Sequence, residues 1–236
     1  MKPSLTPAFA LVALLTFAGW PPTASAQPAD EALPTIQLDG MELPFVRHEN
    51  FESGRDHWTT TDDAAWTLRA ADPRSGQLFG LNRRQSDYQP KHRSPHNIAL
   101  WKHDKVNDFV LTFDVRSTKD TGNHRDCCVF FGYRDNQHFY YVHLGAKPDP
   151  HSGQIMIVNE APRVAITNNQ KKTPWDDDWH TVQLIRDSKQ GTIQVFFDEM
   201  QTPHMEVVDK TFTEGRIGIG SFDDLNEFDD IVVRTR

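Results

Sequence analysis

From Phe45 onward the chain is a succession of short runs in which apolar and polar residues alternate. In the run Phe109 to Val115, Phe109, Leu111, Phe113 and Val115 share one face, and Thr112 and Asp114 take the other. This is the period of two expected of a half-buried strand. The run Trp179 to Ile185 repeats it with Val182 and Leu184, the run Thr192 to Asp198 with Ile193, Val195 and Phe197, and Ile217 and Ile219 alternate with glycines. A last run covers Phe228 to Val233. Turn-forming residues separate these runs at Asp72-Pro73, Lys147 to Pro150, Ser152-Gly153, Ser188 to Gly191 and Glu214-Gly215. Outside the N-terminal segment no long window has helical spacing. Roughly a dozen short strands joined by such turns predict an all-β protein, an antiparallel β-sandwich of the jelly-roll type with one concave sheet.

Two runs near the middle of the chain, Arg125 to Tyr133 and Gln137 to Leu144, carry most of the candidate chemistry. The segment Arg134-Asp-Asn136 reads as the turn of a hairpin between them. If Val142 and Leu144 face the core, then Tyr141 and His143 face the opposite side, because successive side chains in a strand alternate. A hairpin with one apolar face and one face of His, Tyr and Arg suits the floor of a groove that binds or cleaves a sugar.

The first residues read as a targeting segment. One positive charge at Lys2, an uncharged apolar stretch from Ala8 to Trp20 and the small-residue pattern Ala24-Ser-Ala26 predict a signal peptide over residues 1–26. Residues 27–44 hold Pro28, Pro34 and Pro44 and read as an arm or linker, and residues 45–236 read as one sandwich domain. The apolar stretch is short for a membrane-spanning helix, so a secreted or periplasmic protein with no membrane contact after cleavage is expected. The formal net charge is −8, which argues against a general nucleic-acid binder. The two cysteines, Cys127 and Cys128, are adjacent in a predicted strand, so their side chains point to opposite faces. Two reduced thiols are the simpler expectation, with a strained vicinal disulfide as the alternative.

The order of Phe51-Glu-Ser-Gly54 with Trp58, Asp108 to Arg116, Trp179 to Asp187, Gly191 to Asp198, Gly215 to Gly220 and Phe228 to Ile231 resembles the concanavalin A-like lectin/glucanase superfamily. It is similar as well to the laminin G-like and 3-keto-disaccharide-hydrolase-type domains of secreted bacterial proteins. The likeness runs from about Phe45 to Arg236. It implies the sandwich fold and a polysaccharide or oligosaccharide partner, but it is nearly silent on activity, since the superfamily holds hydrolases, lyases and lectins. The E-x-D-x-x-E strand of the laminarinase-type hydrolases is absent from the sequence. The resemblance further implies a structural calcium between the first and last strands, held here by Glu52 and Asp230.

Cleavage of an acidic glycan, by lyase or hydrolase chemistry, needs proton-transfer groups and a cation on the sugar carboxylate. His143 and Tyr141 are the candidates for proton transfer, and Arg93 or Arg125 for the carboxylate. The basic stretch from Asn82 to Asn97 reads as a loop walling the groove and contributes Tyr88 and His96. His124, His138, His151, Asn159 and Trp175 complete the candidate substrate contacts. No phosphate loop, zinc-protease or nucleophile-elbow motif is present, so no organic cofactor is expected. The alternatives are a non-catalytic carbohydrate-binding or adhesion module and a structural domain for a cell-surface partner.

Overall fold

The computed structural model describes residues 36–38, 41–72, 74 and 76–236. The expected signal peptide, 1–26, lies outside the described residues, as does most of the expected arm. The strands in chain order are β1 (Ile36–Leu38), β2 (Met41–Leu43), β3 (Phe45–Glu49), β4 (Trp58–Thr60), β5 (Trp66–Ala70) and β6 (Gln77–Leu81). There follow β7 (Asn97–Trp101), β8 (Phe109–Ser117), β9 (Cys128–Asp135), β10 (His138–His143), β11 (Gln154–Asn159) and β12 (Val164–Ala165). The last five are β13 (His180–Asp187), β14 (Thr192–Phe197), β15 (Met205–Val208), β16 (Arg216–Ser221) and β17 (Asn226–Thr235). Among the described residues, the helical structure is two three-residue turns, Asp63–Ala65 and Gly122–His124, and no helix is long and apolar enough to cross a membrane.

Two antiparallel sheets form the sandwich. One has seven strands in the order β12-β11-β10-β9-β16-β7-β4. The other has eight, ordered β15-β14-β13-β8-β17-β6-β5, with β3 pairing along the C-terminal half of β17. Among the described residues, β1 and β2 pair with each other, so the described part of the expected arm is a short hairpin.

The alternation read from the sequence builds the core between the sheets. Phe109, Leu111, Phe113 and Val115 from β8 meet Val182 and Leu184 from β13 and Ile193, Val195 and Phe197 from β14. From the facing sheet come Val129 and Phe131 of β9, Tyr140 and Val142 of β10, and Ile217 and Ile219 of β16. Each such side chain removed from water contributes roughly 1.5–3 kcal/mol. Arg186 shares the inward parity of Val182 and Leu184 and is buried too. Its guanidinium donates to the carbonyls of Gly191, Asp209 and Phe212, which satisfies the charge inside the protein.

The outer face of the seven-stranded sheet is apolar as well. Ile98, Leu100, Cys128, Phe130, Tyr133, Phe139, Tyr141, Met156 and Val158 form a second buried cluster there, with Phe222 and Ala165 against it. The glycines of β16 make this layer possible. A Cβ on Gly220 would run into the carbonyl oxygen of Asn97, and one on Gly218 would lie 2.6 Å from the carbonyl oxygen of Ala99. The connection from β6 to β7, residues 82–96, reaches across this face. Its Tyr88 side chain meets Asn136 and Tyr133, and the carbonyl of its Arg93 accepts from the Arg163 N–H at 3.1 Å. The central hairpin is therefore covered, where the sequence predicts an open groove floor.

Candidate functional site

Strand parity places the chemistry. β9 pairs with β10 so that Cys128 lies opposite His143 and Phe130 opposite Tyr141. All four point away from the inter-sheet core, while Cys127, Val142 and Leu144 point into it. Both cysteines are free thiols. The expected direction of Tyr141 and His143 is the observed one, but their environment differs from the expected groove. Tyr141 is 0% and His143 5% exposed. What covers them is Phe222, just after β16. Its ring lies parallel to His143 at 6.0 Å and edge-on to His96 at 5.1 Å. The Arg163 and Arg93 guanidiniums sit over it at 4.4 and 5.7 Å.

Under this roof is a small polar chamber. The His143 Nδ1–H donates to the carbonyl of His151 at 2.9 Å, and Nε2 faces Asp126 Oδ2 at 3.2 Å. Asp126 Oδ1 accepts from Ser221 Oγ at 2.9 Å and from the Phe222 N–H at 3.4 Å. Asp224 Oδ2 accepts the Asp126 N–H at 2.9 Å and the Thr121 hydroxyl at 2.8 Å. Asp224 is pushed up to about 6 by burial and by the neighbouring Asp126 carboxylate, and its hydrogen bonds pull the other way. Burial likewise pushes the Tyr141 hydroxyl and the Cys128 thiol well up. Several polar atoms here are buried without a hydrogen-bond partner, among them His143 Nε2, the Tyr141 hydroxyl, Arg163 Nε and Asp224 Oδ1. Such clustering is unusual, because more than about 90% of buried polar groups in proteins are paired.

Beside the roof an open pocket of about 330 Å³ is lined by Arg84, Gln85, Ser86, Gln89, His96 and Asp223. Arg84 bridges its wall, with NH2 3.5 Å from Asp223 Oδ2 and Nε 3.8 Å from Asp224 Oδ1. Burial lowers the His96 pKa. Asp223 raises it, and Arg93 and Arg163 lower it further. The net effect disfavours the charged imidazolium and leaves a ring nitrogen able to accept a proton.

The other expected site residues fall in different places. Arg125 is buried and already paired: its Nε donates to Ser117 Oγ at 2.8 Å, and its NH2 donates to the Ser117 carbonyl and to Asp177, both at 2.7 Å. It fastens loops together, and its charge is met by Asp177 rather than held open for a sugar carboxylate. Arg93 is exposed and stands over Phe222. His124 is exposed in the short turn before β9. His138 and Asn159 are cross-strand partners at the far end of β10 and β11, where His138 meets Asp135 and Glu160. His151 is exposed and serves the chamber through its carbonyl. Tyr88 is half-buried against the sheet. Trp175, expected as a stacking platform, instead donates from Nε1 to the Leu144 carbonyl at 2.7 Å and packs edge-on against His180 and Phe197.

Glu52 and Asp230 line one depression with Asn50, Arg74, Asp114 and Asp229. Each already has a partner. Glu52 Oε1 accepts the Gln77 N–H at 2.6 Å, and Asp230 Oδ1 lies 3.2 Å from His48 Nε2. Arg74 brings its own positive charge, 2.8 Å from Asp114. Among the described residues, the group of three His, Cys, Asp or Glu donors within 4.8 Å of one another is Asp126, Cys128 and His143. The arrangement around Glu52 and Asp230 does not fit a calcium ion, which needs six to eight converging oxygens.

Sequence reasoning missed Phe222, Asp223 and Asp224 altogether. It took Arg84 only as part of the basic stretch from Asn82 to Asn97, and Asp126 only as part of the run from Arg125 to Tyr133. The available signal was the spacing of Asp126 and Cys128, two residues apart and hence on one face, opposite His143.

The two-sheet jelly roll is of the concanavalin A-like kind, the class of fold shared by many carbohydrate-binding proteins. Its likeness to solved structures is at fold level. It is similar to a carbohydrate-binding module from Bacillus subtilis, at 17% identity over 76% of this chain and 96% of that one, with a TM-score of 0.54. It is similar to a cellulose-induced protein, at 13% identity over 80% and 97%, with a TM-score of 0.52. It is also similar to lectin I-B4 from Griffonia simplicifolia, at 13% identity over 81% and 99%, with a TM-score of 0.50. No curated protein sequence matches the chain significantly. Residues 51–234 match the model of the 3-keto-α-glucoside-1,2-lyase-like domains, and the chain belongs to that family.

Proposed function

We propose that this is an exported protein that binds a small glucoside in the pocket of Arg84, Gln85, Ser86, Gln89, His96 and Asp223 and eliminates its aglycone across C1 and C2. The observation that carries this reading is His96, which lines a polar pocket together with Arg84 and Asp223. Export rests on the N-terminal run that ends in Ala24-Ser-Ala26. A pocket of 330 Å³ sits at the small end of the usual range of about 300–1,000 Å³. It suits one or two sugar rings better than a long polymer.

A ketone at C3 acidifies the C2 hydrogen of a glucoside. In this reading His96 takes that proton and Arg84 holds the enolate oxygen. The electron pair then forms the C1–C2 double bond, the C1–O bond breaks, and the leaving oxygen takes a proton from water. The products are an unsaturated ketone and the free aglycone. In an α-glucoside chair the C2–H and C1–O bonds are axial on opposite faces, so the base and the proton for the leaving group come from opposite sides. The open mouth of the pocket supplies the water side.

An acidic glycan is less well served. Arg83 is paired with Asp62 and Asp87, which neutralises part of the basic loop.

The test is incubation with methyl 3-keto-α-glucoside, following the near-ultraviolet absorbance of the enone, together with calorimetry of the unoxidised sugar. Product formation that falls by about 10²-fold or more in His96→Gln supports the reading. Binding without product would make the chain a carbohydrate-binding module. Neither binding nor product would overturn the proposal.

A further inference from the structure

The chamber beneath Phe222 has the features of a metal site, and they are independent of the sugar reading. His143 spends its Nδ1–H on the carbonyl of His151, so its Nε2 carries a free lone pair. That lone pair is buried, makes no hydrogen bond and faces Asp126 Oδ2 at 3.2 Å. Two acceptors aimed at each other in a dry interior repel unless a cation lies between them. The third donor is the Cys128 sulfur, fully buried, on the same face and directly opposite His143 in the ladder. All three donor atoms lie within 4.8 Å of one another. Bonds of about 2.0–2.3 Å in a tetrahedron set its edges at about 3.3–3.8 Å, so a small inward adjustment closes the site.

The surroundings hold the donors in this arrangement. Ser221 Oγ fixes Asp126 through Oδ1 and leaves Oδ2 toward the chamber. The His151 carbonyl fixes the tautomer of His143. The Phe222 N–H donates toward the Cys128 sulfur. A hydrogen bond to the far atom of a ligand, as Asp126 and His143 have here, is the pattern that orients metal-binding side chains.

We propose that Asp126, Cys128 and His143 bind a borderline-soft divalent cation of the zinc class. The mixed oxygen, sulfur and nitrogen set selects such an ion over calcium or magnesium, which take oxygen ligands. Three protein donors leave one position for water, and the buried, unpartnered Tyr141 hydroxyl lies two residues before His143 on the same face.

The experiment uses the whole folded protein, stripped with a chelator and reloaded with Zn²⁺ or Co²⁺ alone. One equivalent of Zn²⁺ is expected by elemental analysis, with a higher melting temperature. The Co²⁺ form should show a thiolate-to-cobalt charge-transfer band and the strong visible bands of a tetrahedral ion. Cys128→Ser should lose the charge-transfer band, and Cys127→Ala, whose sulfur points into the core, should keep it. Ser221→Ala, which frees the Asp126 carboxylate to rotate, should weaken Zn²⁺ binding by about 10–100-fold. If a variant fails to fold, the wild-type cobalt spectrum decides alone. A wild type that takes up no metal, or whose cobalt spectrum lacks the thiolate band, overturns the proposal. None of these readouts involves sugar cleavage, so the proposal can fail while the lyase reading stands, and the reverse.

Discussion

Phe222 is the roof of both the chamber and the pocket wall, and its replacement by leucine measures what the roof is worth. Leucine keeps most of the apolar volume and removes the ring. The ring faces two cations, Arg163 at 4.4 Å and Arg93 at 5.7 Å, each worth about 0.5–1 kcal/mol at a partly exposed site. It also contacts His143 and His96, and such pairs add roughly 0.5 kcal/mol or more beyond their area. These contacts share one ring and do not add fully, so Phe222→Leu should cost about 2 kcal/mol. Phe222→Ala loses half-buried apolar area as well and should cost about 3 kcal/mol. For a domain of this size the leucine variant should melt about 4–8 °C lower. Urea denaturation with matched slopes gives the free energy, and accessibility of His143 to an imidazole-modifying reagent reports whether the chamber opens. A leucine variant within about 0.5 kcal/mol of wild type, with His143 still protected, would show that the loop of residues 82–96 seals the face without the ring.

Gly220→Ala forces a Cβ against the Asn97 carbonyl oxygen and to 3.2 Å from the Phe130 ring. It should cost about 2–3 kcal/mol by overpacking, and an unchanged urea midpoint would refute the close approach of β16 and β7. Asp229 is raised to about 6, chiefly by burial, with Asp230 and Asp114 adding and its hydrogen bond and Arg74 opposing. A raised carboxyl pKa means that the folded state holds a proton the unfolded chain releases near pH 4, so its contribution is lost as pH rises from about 4 through 6. Asp229→Asn should therefore melt higher than wild type at pH 7.5 and equally at pH 4, and the opposite order would refute the assignment. Calcium at Glu52 and Asp230 would have to compete with Arg74, so adding calcium to the metal-stripped protein should leave its melting temperature unchanged. A clear rise with calcium would restore the ion to that site.

The strands were legible wherever one face meets the core. β8, β13 and β14 follow from alternation alone, because burying one face imposes a period of two on the sequence. Alternation also gave the side to which Tyr141 and His143 point. It could not give their exposure, which depends on a loop some fifty residues earlier and on Phe222 some eighty residues later. Arg125 shows the same limit. An arginine between two polar residues before a strand reads as available, and only the tertiary fold brings Ser117 and Asp177 to it. Trp175 read as a loop aromatic and proved to be a plug on the core, because its indole N–H finds the Leu144 carbonyl. His96 was legible as a candidate because it stands in a basic stretch that no strand pattern explains. Its neighbours Asp223 and Asp224 were not, since they come from the turn before the last strand.

The outer face of the seven-stranded sheet explains why the chemistry collects at one end of it. Gly218 and Gly220 leave the middle of β16 without side chains on its outer face, so Leu100 and Phe130 pack over that strand and close the middle of the face with apolar groups. Polar ligands have no partners there, and a sugar laid along the face would lose its hydrogen bonds to water without replacing them. At the β10 end that includes His143, the same face carries Cys128, His143 and Gln154 across three strands in register. Asp126, Arg163 and Asp224 are added around them by loops, and Arg84 and His96 from the long connection open toward solvent. Five of the buried polar atoms without partners, on Tyr141, His143, Arg163 and Asp224, lie at this end. A fold that buries so many unsatisfied groups in one place is less stable for it unless something binds there. A cation held by Asp126, Cys128 and His143 would give the His143 Nε2 the partner it lacks.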